Sequence, residues 1–221
     1  MFHFWCYVWG YPSSGQLPRW WSKWTNTTIS YVHHFLEHHG LGEISVHLHA
    51  DNCSGQNKNN FFIWYLAWRT ILQLHHYVKY LFLIAGHTKF GPDRCFGIIK
   101  KSYKLNYISS LYEFAKMVDS SPSGINEAQL VGTHNGTFLV TVYDWASFLE
   151  QFFTRLPNIK KYHHFRFSKD KPGRVYFKER NSSPEESRNS PPSLNASSQI
   201  KSCRAEPWTQ AVSLPRNQAV L

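Results

Sequence analysis

ISVHLHADNCSGQNKNNFFIWYLAWRTILQLHHYVKYLFLIA, residues 44–85, decides the fold class. Residues 44–50 alternate strictly. Ile44, Val46, Leu48 and Ala50 face one way; Ser45, His47 and His49 face the other, with Asp51 extending the polar set. A period of two reads as a strand with one apolar face. Residues 51–60 form a polar turn holding four asparagines. Asn59 or Asn60 is placed to cap a helix over 61–76. That helix is apolar on nearly every side, so it belongs in the interior. Residues 80–85 (YLFLIA) are apolar without a break, the pattern of a central strand covered on both faces. A strand, a helix and a strand in this order argue for a parallel pair joined by a right-handed crossover.

Upstream, residues 2–9 are strand-like in their aromatic content, and Pro12 to Pro18 mark a loop. Arg19-Trp20-Trp21-Ser22-Lys23-Trp24 is a basic-aromatic cluster, able to stack on bases or to pack as a half-buried patch. Asn26 or Thr27 is placed to cap a helix over 28–39 that Gly40 stops. Downstream, Gly86 to Asp93 is a second polar turn, and Asp93 is placed to cap a helix over 94–104. Residues 109–118 read as helix, 122–136 as loop and 137–143 (TFLVTVY) as strand. A short helix over 144–156 follows, with Asp144 as its cap, then a hairpin from 162–168 and 173–178. From Glu179 onward Ser, Pro and Asn dominate, and the reading for 179–221 is a disordered tail.

The 221 residues carry 24 Lys and Arg against 14 Asp and Glu, a formal net charge of +10. A balance of that sign favours polyanionic partners such as DNA or RNA. Cys6, Cys53, Cys95 and Cys203 form no CxxC pair, so neither a zinc knuckle nor a disulfide framework is implied. Scattered thiols suit an intracellular compartment. No run approaches 18 apolar residues, and no membrane span is expected. Nothing in the pattern fixes an oligomeric state.

Two polar turns follow the ends of the two adjacent strands, where ligands of open α/β sheets bind. Asp51 ends the first strand and Asp93 follows the second. Paired carboxylates there suit Mg²⁺ or Mn²⁺, and in a two-metal site they would clamp a phosphodiester. Each Asp has a plainer reading as a cap. His87, in a Gly-His-Thr turn, is a candidate general acid or base, metal ligand or phosphate contact. His47, His49 and Asp51 share a strand face and could converge on zinc. Gln56, Asn57 and Lys58 could contact phosphate at a helix N-terminus, or brace the turn through side-chain-to-backbone bonds. Lys89 and Arg94 add cations to the second turn.

The blocks His49 to Asn60 (HADNCSGQNKNN) and Gly86 to Gly97 (GHTKFGPDRCFG), with Tyr162 to Phe167 and Pro172-Gly173, resemble a family of transposon-related domains in eukaryotic genomes. The resemblance runs from about residue 26 to 178 and extends to ribonuclease H-like transposases and integrases. It implies an α/β, partial ribonuclease H-like fold with truncated N-terminal strands. An incomplete core would cover 1–104 and a small α+β annex 105–178. It also implies Asp51 as the second catalytic carboxylate and Asp93 near the third. The first should lie upstream, yet residues 1–36 contain no Asp or Glu. The expectation is a catalytically degenerate, transposase-derived domain, intracellular with the nucleus as one location open to it, that retains nucleic-acid or divalent-metal binding. An active metal-dependent nuclease is one alternative, with a carboxylate recruited from Glu37, Glu43, Asp119 or Asp144. A protein-interaction module using an aromatic surface is the other.

Overall fold

The computed structural model describes residues 4–8, 24–53, 56–82, 91–122, 124–133, 137–180 and 182–189. The chain is mixed α/β: β1 (Phe4–Val8), α1 (Trp24–His38), β2 (Ser45–Ala50), α2 (Asn60–Ile71), β3 (Tyr77–Phe82), α3 (Gly91–Leu105), α4 (Leu111–Asp119), β4 (Asn126–Leu130), α5 (Trp145–Leu149), β5 (His164–Ser168), β6 (Arg174–Lys178) and β7 (Glu186–Asn189). It divides into two compact units, one of residues 1–17 and 85–141, the other of residues 18–84 and 142–221.

The larger unit is organised by α2. Every residue from Phe62 to Ile71 is buried, because a helix that is apolar on all sides can only be stabilised inside. Asn59 caps it by accepting from the Phe62 amide at 3.0 Å, as the sequence predicts. The sheet has the order β2-β3-β5-β6-β7. β2 and β3 run parallel on either side of α2 in sequence, and β3, β5, β6 and β7 pair antiparallel. Val78, Tyr80, Phe82, Phe165, Phe167, Val175 and Phe177 are buried on the face that meets α2. Phe62 stacks on Tyr80 with ring centroids 4.8 Å apart. α1 and α5 complete the helical layer. Asn26 donates to Asp144 at 2.8 Å and accepts from the Ala146 amide at 2.9 Å, while Ser30 accepts from the Tyr143 amide at 3.0 Å.

One charge sits inside this layer. Arg69 is 2% exposed. Its guanidinium meets Glu37 at 2.8 Å, donates to His75 Nδ1 at 3.0 Å and to the Tyr65 hydroxyl at 3.1 Å, and lies 3.2 Å from His33 Nδ1. A buried cation needs partners of this kind, since desolvation without them is prohibitive.

The smaller unit is built from the parallel pair β1 and β4. α4 packs on both strands and α3 packs on α4, around Ile99, Met117 and Val118. Ser110 and Glu113 form a capping box at the start of α4, which closes two amide donors reciprocally.

Several expectations are corrected. Asn26 and Thr27 lie inside α1 rather than capping it, because the Asn26 amide is committed to Asp144 across the fold. Asp93 sits in the first turn of α3, not before it. β3 is central but alternates between buried and half-buried residues, so only one of its faces is covered; residues 83–85 lie outside the described residues. The TFLVTVY stretch makes a single bridge, Gly132 to Phe138, in place of a strand, because Thr133 and Thr137 close a tight loop through backbone and hydroxyl bonds. The helix expected over 144–156 stops at Leu149. The loop expected over 122–136 contains β4, and the polar stretch after 179 contributes β7. β1 pairs with β4, and the antiparallel run beside the parallel pair comes from residues 164–189.

The Arg69 cluster gives a pH signature. Burial first, then the Arg69 charge, holds both His33 and His75 down to about 4. The unfolded chain protonates these imidazoles near 6.5, so it binds more protons between those values. The cluster's contribution to stability is therefore full above about pH 6.5 and is lost as the pH falls toward 4, with an uptake of about two protons by these two imidazoles on unfolding. Urea denaturation across pH 4–8 should show this fall, and His75→Gln should flatten it. A flat profile for the native chain would contradict the cluster.

Candidate functional site

The first polar turn is a braced loop. Asp51 is exposed at the end of β2, and its Oδ1 accepts from the Cys53 amide at 3.2 Å and from the Asn57 side chain at 2.5 Å. The Cys53 carbonyl accepts from the amides of Gln56, Asn57 and Lys58, and Tyr80 donates its hydroxyl to the Asn57 carbonyl at 3.1 Å. Asn59 also donates to Thr25 and to the Gln56 carbonyl. Asn60 is bonded in both directions to the Leu156 backbone. Lys58 is buried, donates to Asn52 Oδ1 at 3.0 Å and lies over the Phe82 ring, 5.0 Å from its centroid; burial lowers its ammonium to about 8. The polar density of this motif is thus spent on holding the loop and capping α2.

Asp93 and Arg94 are exposed on α3 in the smaller unit, whereas Asp51 belongs to the larger. His87, Lys89 and residues 19–23 of the basic-aromatic cluster lie outside the described residues. The recruited carboxylates are engaged elsewhere. Glu37 pairs with Arg69, Glu43 accepts from the Leu41 amide, Asp119 from the Ala128 amide, and Asp144 caps α5. Among the described residues no group of three or more His, Cys, Asp or Glu side chains is arranged to hold a metal ion. His47, His49 and Asp51 are therefore not arranged as such a group. Also among the described residues, no helix is long and apolar enough to cross a membrane.

What the fold does assemble is a charged surface on the sheet of the larger unit. The alternation that buries Val78, Tyr80, Phe82, Phe165, Phe167, Val175 and Phe177 turns their neighbours to the opposite face. That face carries His47 and His49 from β2, Tyr77 and Lys79 from β3, His164 and Arg166 from β5, and Arg174, Tyr176 and Lys178 from β6. None of these four strands contains Asp or Glu. The register sets His47, Lys79, Arg166 and Tyr176 in one row across them, and Lys178 beside His164. Arg166 lies 4.0 Å from the Tyr176 ring centroid, and Lys79 lies 5.6 Å from that of Tyr77. The acidic counterpart is Glu185, just before β7, which grips the Arg166 guanidinium at two points.

A family model described as a domain of unknown function, DUF7869, matches residues 16–185. The chain belongs to this family. The match takes in β2, α2, β3, β5 and β6, and so all of the charged sheet face. No curated protein matches the chain, and no solved structure does.

Sequence reading singled out the turns of this DUF7869 member and missed the sheet face. The signal was present in HHFRFS and RVYFK, where cations and aromatics alternate with core residues. The exposed aromatics Phe96, Tyr103, Tyr107 and Tyr112 fall instead on and between the two helices of the smaller unit.

Asn59→Ala should destabilise the chain by about 1–2 kcal/mol, because the α2 cap goes with it. Asn59→Ser, which keeps a capping oxygen, should cost less. Urea midpoints check this, and equal losses would contradict the capping role.

Proposed function

We propose that the chain is a nucleic-acid-binding domain, derived from a transposase or integrase core, that has left strand-transfer chemistry behind. The observation that carries the reading is the cationic sheet face. Four Lys and Arg and three His project from four strands that hold no carboxylate. Solvated sheet faces ordinarily intersperse both signs, since like charges placed opposite one another on paired strands destabilise the sheet. Lys79 beside Arg166 is such a like-charge pair; Glu185 answers Arg166, and an anionic partner answers Lys79 and the cations of the neighbouring rows.

Descent is supported by the two signature blocks and by the parallel β2–α2–β3 unit to which the first of them belongs. Loss of catalysis is supported by Asp51, whose carboxylate is committed to Asn57 and Cys53, and by Glu37, Glu43, Asp119 and Asp144, each engaged elsewhere. On this reading the domain works where nucleic acid is, which includes the nucleus.

Binding should be electrostatic, with log Kd changing with log salt at a slope of magnitude roughly 3 for four cationic contacts. Lys79→Gln with Arg166→Gln should weaken binding and flatten that slope. Glu185→Gln, which releases Arg166, should tighten it several-fold. Fluorescence anisotropy with a labelled oligonucleotide measures all three. Binding that ignores these changes, or plasmid cleavage in Mn²⁺ that Asp51→Asn abolishes, would sink the reading.

A further inference from the structure

We infer that the ligand class is single-stranded nucleic acid, held by base stacking on Tyr77 and Tyr176 with phosphates on the cations around them. This rests on the nucleic-acid reading of the same face. The basis is the arrangement of aromatics within the charge, which net charge alone does not require. Tyr77 is on β3 and Tyr176 on β6, both half-buried on the open face. Two strand spacings, about 10 Å, separate those strands. β5 runs between them and supplies Arg166, opposite both Lys79 and Tyr176, and Ser168, opposite Tyr77. Each ring has its own cation, Lys79 for Tyr77 and Arg166 for Tyr176. Each cation lies over a face of its ring, Arg166 over Tyr176 and Lys79 over Tyr77, so a base stacks there by displacing the cation from the π-face onto its own phosphate.

The shape of the face argues against a duplex. The major groove is read by a projecting helix or a two-stranded ribbon, and in a duplex the π-faces of the bases are stacked on one another and closed to a ring. This surface is a pleated sheet whose rings lie within it, flanked by β2 on one side and β7 on the other. A strand with splayed bases can lie across it. Stacking also tolerates any base, so the site should be weakly selective for sequence. His47 lies beside Tyr77, with ring centroids 6.3 Å apart, and extends the track toward β2.

The test uses the full chain and labelled probes of about 16 nucleotides, the upper end of the site size for a single-strand-binding barrel domain of comparable width: oligothymidylate, oligouridylate and a mixed-sequence DNA duplex of that length. Both single strands should bind about tenfold or more tighter than the duplex. Oligouridylate and oligothymidylate separate RNA from DNA as the source of the strand, and preference for either supports the proposal. Tyr176→Ala and Tyr77→Ala should each cost roughly five- to a hundredfold in single-strand affinity. Tyr176→Phe and Tyr77→Phe retain the ring, should retain the affinity, and stand in should an alanine variant fail to fold. Duplex binding as tight as single-strand binding, or indifference to both alanine changes, overturns the stacking proposal and leaves the nucleic-acid reading intact. Failure of all three probes overturns both.

Discussion

The Arg69 guanidinium is a full charge within the helical layer of the larger unit, on a helix that has no exposed side to offer it. Every direction in which it can donate must therefore be answered by a neighbour. Glu37 and His33 answer from α1, Tyr65 from α2 itself, and His75 from the approach to β3. Removing one member of such a set leaves a buried group unmatched and costs several kcal/mol. The cluster fixes how α1 lies on α2 and where the chain leaves α2 for the sheet. A wholly apolar helix could slide or rotate on its neighbours at little cost, whereas this one has a single setting in which its charge is satisfied.

That setting determines the character of the sheet. With α2, α1 and α5 layered on one face, the strands have one dry side and one wet side, and the period of two sorts every residue between them. The dry side takes seven large apolar side chains from β3, β5 and β6. The wet side takes all the histidines, lysines and arginines of β2, β3, β5 and β6. No separate structural device is needed to build a cationic surface; the core pattern and the register build it together. The loop after β2 has the opposite role. Its asparagines, Asp51 and Lys58 hydrogen-bond to one another, to the backbone and to Tyr80, so a motif rich in polar groups is here a structural brace.

The elements legible in the sequence were those whose signal is local. Alternation locates β2, a run of apolar residues locates α2, and the sequence narrows its cap to Asn59 or Asn60, of which Asn59 is the one used. The Tyr162–Lys178 hairpin was also legible, because both strands alternate and Pro172-Gly173 marks the turn, where Gly173 adopts a φ of 74°. What failed depended on partners distant in the chain. Asn26 has the chemistry of a cap, but its amide is held by Asp144, 118 positions away. TFLVTVY has the composition of a strand, but among the described residues it pairs through the Gly132–Phe138 bridge alone, with Val131 and Val140 buried. β7 is polar and at an edge, so it carries no hydrophobic alternation to find. The cationic face was half legible: its alternation is in the sequence, but which side of the sheet is open depends on where the helices pack.

On the proposed function, the open sheet face of the larger unit, and not the loop after β2, meets nucleic acid. Amide and side-chain NMR shifts followed during titration with an unlabelled single-stranded oligonucleotide test it most directly. The largest changes should fall at Lys79, Arg166, Tyr176 and their row neighbours on β3, β5 and β6, with the buried residues between them little affected. Changes confined to Asp51–Asn59 or to α3, with the sheet silent, would contradict it.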